Sequence, residues 1–474
     1  MTQQKLTRRK FLAITGTAAL GAAAAACAPA ASPTTAPPTS APAGTSAPAA
    51  TLAPAATSAP SGQAMTLQAW ISRGAPQGDI IGQLIDKYNA DQASKNTGIK
   101  WEYQSVTDSI DAKLAAAATA GKGFPNGYIG DDSLAWASRY IQAGWVVPLN
   151  PLLQQVGFSF DDFLPLTRWT LNGNDYMLNY GPSGFLQYIN MDHAKEAGLD
   201  LQNDPPDTLD KMVEWAQKMT KKDASGNVTR SGFLITGSGL QPTVVWGHIL
   251  QALGSSLVGP DGKTTNFNNA NGKQAAQFVL DAFNKYKISD PNLTDRYKEW
   301  GTGNASIFWS GDWVIGSSLA AKDLHFDTWK MPQVNGKRAS QASLESMMIF
   351  KQDDPNRMLE AAKLFKWMFA NFTPLYAQTG DLTSVKSIAN SDAYKNRPAN
   401  KYLGPVQDAY ANGYTFPQNS NPVQDLNYYG SQVLIRNLDN VWLGKMSIED
   451  GLNALEKDVQ GVLAQAPLVQ FKLI

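Results

Sequence analysis

The sequence predicts a protein of the α/β class that is divided into two lobes or domains. Residues 66–70 alternate in polarity and are rich in strand formers, and residues 77–90 place apolar side chains on one helical face. Residues 101–106 indicate a second strand, and residues 110–120 a second helix. Strand–helix units at this spacing are typical of a parallel sheet. The chain has 474 residues, more than one hydrophobic core usually supports.

Three later helices are predicted from the residues that begin them. Asp207 and Thr208 follow two prolines and precede apolar residues at helical spacing. Asp354 is a capping residue with a proline at the first helical position after it. Ser447 begins a capping box before the last helix.

The composition excludes several classes of function. The 40 Lys and Arg residues balance the 40 Asp and Glu residues, so no basic surface predicts nucleic-acid binding. The three histidines, His193, His248 and His325, are far apart in sequence, and we expect no metal site. The sequence contains neither a phosphate-binding loop nor a Gly-x-Ser-x-Gly motif, and we expect no cofactor.

The first 27 residues predict export. Arg8 and Arg9, followed after one residue by phenylalanine and leucine, are typical of a twin-arginine signal. The apolar stretch at 11–26 is too short and too rich in alanine for a membrane span. Small residues before Cys27 indicate a lipoprotein cleavage site, where the thiol is acylated. The alternative is an ordinary signal peptide cleaved after Ala-x-Ala. Cys27 is the only cysteine, so it has no internal disulfide partner.

Residues 28–64 consist almost entirely of Ala, Pro, Thr, Ser and Gly. Such a segment has little apolar surface to bury, so we expect a disordered tether stiffened by its prolines. A signal, a lipidation site, a tether and then a folded body predict an exported protein. We expect it to be lipid-anchored on the outer face of the cytoplasmic membrane, at the cell surface or in the periplasm.

Several segments of the body occur in an order that resembles a known family. They are Ala-Gly-Trp-Val-Val-Pro-Leu-Asn at 143–150, Asn-Gly-Asn-Asp-Tyr-Met at 172–177, Tyr-Ile-Asn-Met-Asp at 188–192 with Ala-Gly-Leu at 197–199 and Pro-Pro-Asp-Thr at 205–208, and Gly-Asn-Ala-Ser-Ile-Phe-Trp-Ser-Gly-Asp-Trp at 303–313. Together they resemble the family 1 extracellular solute-binding proteins, the maltose-binding-protein-like sugar-binding subunits of ABC importers.

The resemblance implies a periplasmic-binding-protein fold of type II, with a ligand cleft between two lobes joined by crossing strands. Lobe one would hold 65–183 and 331–375, and lobe two would hold 184–330 and 376–474. Glycine, proline and glycine at 181–184 predict a turn at the first crossing. The implied function is capture of a mono- or oligosaccharide and its delivery to the permease subunits of an ABC transporter. We expect a monomer without enzymatic activity.

A sugar offers hydroxyl groups and flat apolar faces, so its site needs carboxylates or amides beside planar aromatic rings. Trp70, Ser72 and Arg73 lie where the first strand ends, the edge at which open α/β sheets bind ligands. Asp131 and Asp132 follow another apolar strand. The alternative for these two aspartates is capping of the next helix.

Trp309 and Trp313 bracket a Ser-Gly-Asp segment in which Asp312 could bind hydroxyl groups and the glycine permits close approach. The alternative is a core segment with a capping aspartate. Further candidate ligand contacts are Tyr180, Trp246, Glu345, Asp381 and Tyr428.

Two other functions stay open at this point. Carboxylates beside aromatic rings are also typical of an extracellular glycosidase or lyase. Asp131 and Asp132 are neighbours in sequence, which is a poor arrangement for flanking a scissile bond. The second alternative is a lipoprotein that binds oligosaccharide or peptide without a transporter.

Overall fold

Strands and helices alternate at the start of the body, as the periodicity predicts. A computed structural model describes residues 64–106, 110–130, 133–417, 421–423, 426 and 432–474. β1 (Met65–Ser72) lies parallel to both β2 (Ile99–Ser105) and β3 (Gly127–Gly130). The helices Gln77–Ser94 and Ile110–Ala120 connect these strands. The predicted parallel α/β arrangement is therefore confirmed.

The three predicted helix starts are confirmed because each depends on local capping chemistry. The Thr208 side chain accepts a hydrogen bond from the backbone N–H of Lys211 at the start of the helix Leu209–Met219. Asp354 caps the helix Pro355–Asn371, and Ser447 caps the helix Ile448–Gln465. A cap satisfies backbone N–H groups that have no partner within the helix.

The remaining elements follow in chain order. The strands are β4 (Trp169–Leu171), β5 (Asn174–Asp175), β6 (Leu178–Asn190), β7 (Lys221–Lys222), β8 (Val228–Phe233), β9 (Ser256–Val258), β10 (Thr265–Asn266), β11 (Ala305–Gly311), β12 (Phe326–Trp329), β13 (Ser340–Ile349), β14 (Thr415–Pro417) and β15 (Lys472–Leu473). The other helices are Ser133–Gln142, Asn150–Gln155, Met191–Glu196, Leu240–Ala252, Ala270–Asn284, Arg296–Gly301, Val314–Ala320, Thr373–Gln378, Lys386–Asn390, Asp392–Lys395, Gly404–Ala411 and Gln432–Trp442, with a 3-10 turn at Pro398–Tyr402.

One mixed sheet runs through the body. Within the described residues it has ten strands, in the order β2-β1-β3-β13-β6-β11-β8-β7, with β12 also paired to β6 and β14 to β13. β13 and β6 are antiparallel to each other and lie between the two outer sets of strands. These two strands therefore connect both ends of the sheet.

The turn predicted at 181–184 is wrong. These residues lie inside β6, a continuous strand of 13 residues. β13 pairs with this part of β6, placing Leu344 opposite Pro182 and Glu345 opposite Gly181. Glycine and proline signal turns locally, but the ladder with β13 holds the segment extended.

The apolar side chains form separate cores on the two sides of β6 and β13. Lobe one contains clusters built on β1, β2 and β3, which include Ile71, Trp101 and Tyr128. Lobe two contains clusters built on β8 and β11, which include Phe233 and Phe308. Two cores joined by shared strands give a two-lobe architecture. The residue bounds predicted for each lobe stay predictions.

Several predictions lie outside the described residues. They concern Arg8, Arg9, Cys27 and the tether at 28–64, of which only the last residue is described. In the part of the chain that the structure describes, no helix combines the length and apolar character needed to cross a membrane.

Candidate ligand-binding site

Arg73 directly follows β1 and connects three parts of the chain. Its Nη1 lies 2.6 Å from Oε1 of Glu345, on β13, and its Nη2 lies 2.7 Å from Oδ1 of Asp381. All three side chains are at most 4% exposed. A buried guanidinium needs carboxylate partners to offset its desolvation, and here it has two. Three residues predicted as ligand contacts are thus brought together.

The Asp381 carboxylate is also fixed by its own segment. The hydroxyl of Thr379 donates to Oδ2 of Asp381 over 2.8 Å. Arg397 donates from Nη1 to the backbone carbonyl of Asp381 over 2.6 Å. Charge-assisted hydrogen bonds of this kind hold a loop in one conformation.

Asp312 follows β11 and reaches the first crossing strand. Its Oδ1 accepts a hydrogen bond from the Ser183 hydroxyl over 2.5 Å and another from the backbone N–H of Gly184 over 3.3 Å. The side chain is 1% exposed. Burial raises the pKa of Asp312 to about 7, the Asp381 carboxylate adds to this rise, and the hydrogen bonds and Arg73 oppose it.

The Arg73–Glu345–Asp381 cluster and Asp312 are close in space. A Cβ placed on Gly380 would lie 2.5 Å from the backbone oxygen of Asp312, so the segment before Asp381 lies directly against Asp312. Only a glycine permits this approach at position 380. We name the group formed by Arg73, Glu345, Asp381, Asp312 and Ser183 the junction cluster.

Trp313 lies beside the junction cluster and is partly buried. Its indole N–H donates to the Tyr297 hydroxyl over 3.2 Å, and its ring meets Phe185 edge-on with centroids 5.3 Å apart. A Cβ on Gly311 would lie 1.9 Å from the Trp313 ring. The close approach predicted for this glycine is therefore made by the Trp313 side chain itself.

The two lobes touch each other at this point. Gln77, at the start of the first helix of lobe one, donates from Nε2 to the Trp313 backbone oxygen over 3.3 Å. A Cβ on Gly316 would lie 3.5 Å from Cγ of Pro76. The beginning of the helix Val314–Ala320 in lobe two thus faces the beginning of the helix Gln77–Ser94 in lobe one.

One hydroxyl group connects the two crossing strands. Tyr410 donates to the backbone oxygen of Ser183 on β6 over 2.9 Å and lies 3.2 Å from the backbone oxygen of Ser343 on β13. The Tyr410 side chain belongs to the helix Gly404–Ala411. It therefore holds this helix against both strands beside the junction cluster.

Other predicted ligand contacts lie elsewhere or are not described. Ser72 is buried beside Arg73, and Trp70 is 7% exposed with the Lys113 ammonium 5.5 Å from its ring centroid. Tyr180, Trp246 and Trp309 are buried within the cores. Their roles as ligand contacts stay predictions. Asp131, Asp132 and Tyr428 lie outside the described residues.

Sequence reasoning missed Ser183, Thr379 and Arg397. Ser183 lay inside the Gly-Pro-Ser-Gly segment, which indicated a crossing but not a side chain pointing to Asp312. Thr379 stands two residues before Asp381, the spacing at which a hydroxyl can bond a neighbouring carboxylate. No local signal indicates that Arg397 reaches the same loop.

The junction cluster has the chemistry to hold a polyhydroxylated molecule. Carboxylates accept hydrogen bonds from hydroxyl groups, and the partly buried Trp313 offers an aromatic ring beside them. In the described part of the chain, no group of His, Cys, Asp and Glu is arranged to hold a metal ion.

Two α/β lobes, joined by shared strands with buried polar side chains at their junction, define a two-lobe ligand-binding protein. The chain belongs to the family of bacterial extracellular solute-binding proteins, since the model of that family matches residues 74–371, more than half of its length. The predicted family resemblance and two-lobe fold are therefore confirmed.

Solved structures share this fold over nearly their whole length. UgpB from Mycobacterium tuberculosis in complex with glycerophosphocholine matches with a TM-score of 0.71 and 17% identity, covering 85% of this chain and 99% of that chain. Maltose-bound MalE3 from T. maritima matches with a TM-score of 0.69 and 17% identity, covering 84% and 100%. The maltose/maltodextrin-binding domain MalE from Bdellovibrio bacteriovorus, bound to maltotriose, matches with a TM-score of 0.68 and 19% identity, covering 85% and 99%.

Proposed function

We propose that this protein is the extracytoplasmic substrate-binding subunit of an ABC transporter, which captures a mono- or oligosaccharide between its lobes. The observation that carries this proposal is the junction cluster, where buried carboxylates lie beside Trp313 at the meeting of the two lobes. Family membership supports a binding role, and delivery to permease subunits is the part of the proposal that we infer from it.

The chemistry of the cluster supports a carbohydrate over a phosphate-bearing ligand. Both terminal nitrogens of Arg73 already contact carboxylates, so this cation is engaged within the protein. Acceptor oxygens outnumber cations in the cluster, and they suit the hydroxyl groups of a sugar. Maltotriose and maltose are the ligands of two proteins with this fold, whereas a third binds glycerophosphocholine.

A thermal-shift panel tests the ligand class. Purified protein would be heated with maltose, maltotriose, mannobiose, a range of monosaccharides and glycerophosphocholine. A ligand at 100 times its dissociation constant should stabilise the fold by about 2.7 kcal/mol, which is readily measured. A shift with glycerophosphocholine and none with any sugar would overturn the carbohydrate assignment while leaving the binding role intact.

We also propose that the lobes close on the ligand, which presents the occupied form to the permease. A ligand can drive closure only through higher affinity for the closed form, and about 10⁴-fold moves a 1:99 balance to 99:1. We expect the protein to be a monomer. Small-angle scattering should show a smaller radius of gyration when this monomer is saturated with sugar. An unchanged radius would count against closure.

Anchoring and export are further parts of the proposal. Acylation of Cys27 would hold the protein at the outer face of the membrane, so the Cys27→Ser variant should leave the membrane fraction. Replacing Arg8 and Arg9 with lysines should block export without affecting folding. A mature protein without acyl chains in mass spectra would contradict the anchor.

The enzyme alternative has its own test. A glycosidase would release reducing ends from an oligosaccharide that shifts the unfolding temperature, whereas a binding protein returns the oligosaccharide unchanged. We expect no release over hours at micromolar protein, measured by chromatography of the recovered ligand.

A further inference from the structure

Asp312 carries a buried carboxylate oxygen that is not used in the fold. Its Oδ1 accepts two hydrogen bonds, from Ser183 and Gly184, whereas its Oδ2 has no hydrogen-bond partner among the described residues. The residue is 1% exposed. A buried carboxylate in this position is costly to keep ionised, because one of its two oxygens has no hydrogen-bond donor.

The surroundings of Asp312 favour its neutral form in the absence of a ligand. The charged and titratable groups that face it come from several elements: Arg73, Tyr188, Asp381, Tyr394, Arg397 and Tyr410. The two cations among them are engaged elsewhere. Arg73 pairs with two carboxylates, and Arg397 donates to the backbone oxygens of Tyr376 and Asp381.

We propose that sugar binding is coupled to release of a proton from Asp312, because a ligand hydroxyl donates to its unpartnered Oδ2 and the carboxyl group then ionises. The ligand keeps its own hydroxyl proton, and the carboxyl proton passes to the solvent. This inference rests on the proposed function, since it describes how pH affects sugar binding at the same site.

The geometry sets the direction of the coupling. Two protein groups already donate hydrogen bonds to Oδ1. A third hydrogen bond, from the ligand to Oδ2, would stabilise the ionised carboxylate further. Asp312 is only 1% exposed, so a ligand has almost no accessible surface of this residue left to cover. Ligand binding therefore lowers the pKa of Asp312.

The pH dependence follows from linkage. The pKa of Asp312 in the free protein is raised to about 7, so the carboxyl is mostly protonated at pH 6 and mostly ionised at pH 8. Binding that selects the ionised form should weaken as the pH falls, by about tenfold between pH 8 and pH 6 when the pKa in the complex is well below 6. It should release most of one proton at pH 6 and about a tenth of a proton at pH 8.

The test is calorimetric titration with maltose, maltotriose and mannobiose at pH 6 and pH 8, in buffers that differ in ionisation enthalpy. The difference in heat between buffers counts the protons released. We expect release at pH 6 in the wild type and none in Asp312→Asn. Binding without proton release in the wild type would overturn this inference but leave the proposed function standing. Binding of none of the three sugars would count against both.

Two further variants separate titration from a general structural effect. Ser183→Ala removes a donor to Asp312, so the midpoint of the affinity–pH curve should move to higher pH. A purely structural role would instead weaken binding equally at every pH. The control is His325→Gln, which replaces an exposed imidazole paired with Asp192. Proton release should be unchanged in this control, because the proposal assigns the released proton to Asp312. The other two histidines, His193 and His248, are not protonated at pH 6, because burial lowers the pKa of each to about 4.

Discussion

Nη1 of Arg73 lies 2.6 Å from Oε1 of Glu345, and both side chains are almost completely buried. The pair connects the end of β1 in lobe one with the crossing strand β13. Because Arg73 also pairs with Asp381, it compensates two buried carboxylates at once. Its loss should be more damaging than the loss of either partner.

The first prediction compares variants at this cluster. Arg73→Met removes the cation that pairs with two buried carboxylates and should lower the free energy of unfolding by about 3–5 kcal/mol. Glu345→Gln keeps the Arg73–Asp381 pair and should cost less. The control is Glu102→Gln, which removes an exposed partner of Lys100 and should change stability by less than about 1 kcal/mol. Urea unfolding measures all three, and an Arg73→Met variant as stable as the control would refute the prediction.

The second prediction distinguishes Trp313 from a core tryptophan. Trp313 is partly buried beside the junction cluster, whereas Trp215 is fully buried in the core of lobe two. Trp215→Ala should cost about 3–5 kcal/mol of stability and leave the affinity of the folded protein unchanged. Trp313→Ala should cost less stability and weaken sugar binding at least tenfold. Calorimetry and urea unfolding of both variants check this, and wild-type affinity in Trp313→Ala would place the ligand elsewhere.

Much of the fold could be predicted because its signals are local. Thr208, Asp354 and Ser447 cap helices through hydrogen bonds to residues two or three positions later. Helical spacing and strand composition are equally local. The order of segments in the chain then identified the family, which local patterns alone do not define.

The site was only partly predictable because its contacts join distant parts of the chain. Arg73 and Asp381 are separated by 308 positions, and Ser183 and Asp312 by 129. Arg73, Asp312, Glu345 and Asp381 were candidates by residue type and position, but their pairing depends on strand order and packing. The turn expected at 181–184 failed for the same reason, since β13 supplies hydrogen bonds that the local sequence does not reveal.

The third prediction concerns the space that Gly311 leaves for Trp313. A Cβ at position 311 would overlap the Trp313 ring at 1.9 Å, so Gly311→Ala must displace that ring. Sugar affinity should fall to a degree similar to that in Trp313→Ala. Gly301→Ala is the matched control, because a Cβ there meets no atom within 4 Å and lies in a helix. Normal affinity in Gly311→Ala would show that the position of this ring is not needed for binding.

The fourth prediction is the stability of the His248→Gln variant in acid. Burial lowers the pKa of His248 from 6.5 to about 4. Its Nδ1 donates a hydrogen bond to the Val244 backbone oxygen, and its Nε2 accepts one from the Gln341 backbone N–H. A lowered histidine pKa means that the neutral form stabilises the fold above pH 6.5. This contribution is lost as the pH falls from 6.5 towards 4. In His248→Gln the free energy of unfolding should therefore fall less over this window than in the wild type. An identical fall in both proteins would exclude His248 as its cause.

The last prediction is that Asp312 makes the stability of the fold depend on pH in the direction opposite to His248. Its pKa is raised to about 7 from 3.8, so the folded protein binds a proton more tightly than the unfolded chain does. The stabilisation that protonation provides is complete below pH 3.8 and is lost as the pH rises through 7.

Asp312→Asn cannot ionise, so its free energy of unfolding relative to wild type should increase from pH 4 to pH 8, by roughly 4 kcal/mol at most. Over pH 4 to 6.5 the contributions of Asp312 and His248 oppose each other, so towards acid the free energy of unfolding should fall more in Asp312→Asn, and less in His248→Gln, than in the wild type. Urea unfolding of the ligand-free proteins at four values of pH measures this, and a constant difference between Asp312→Asn and wild type would show that Asp312 stays ionised throughout.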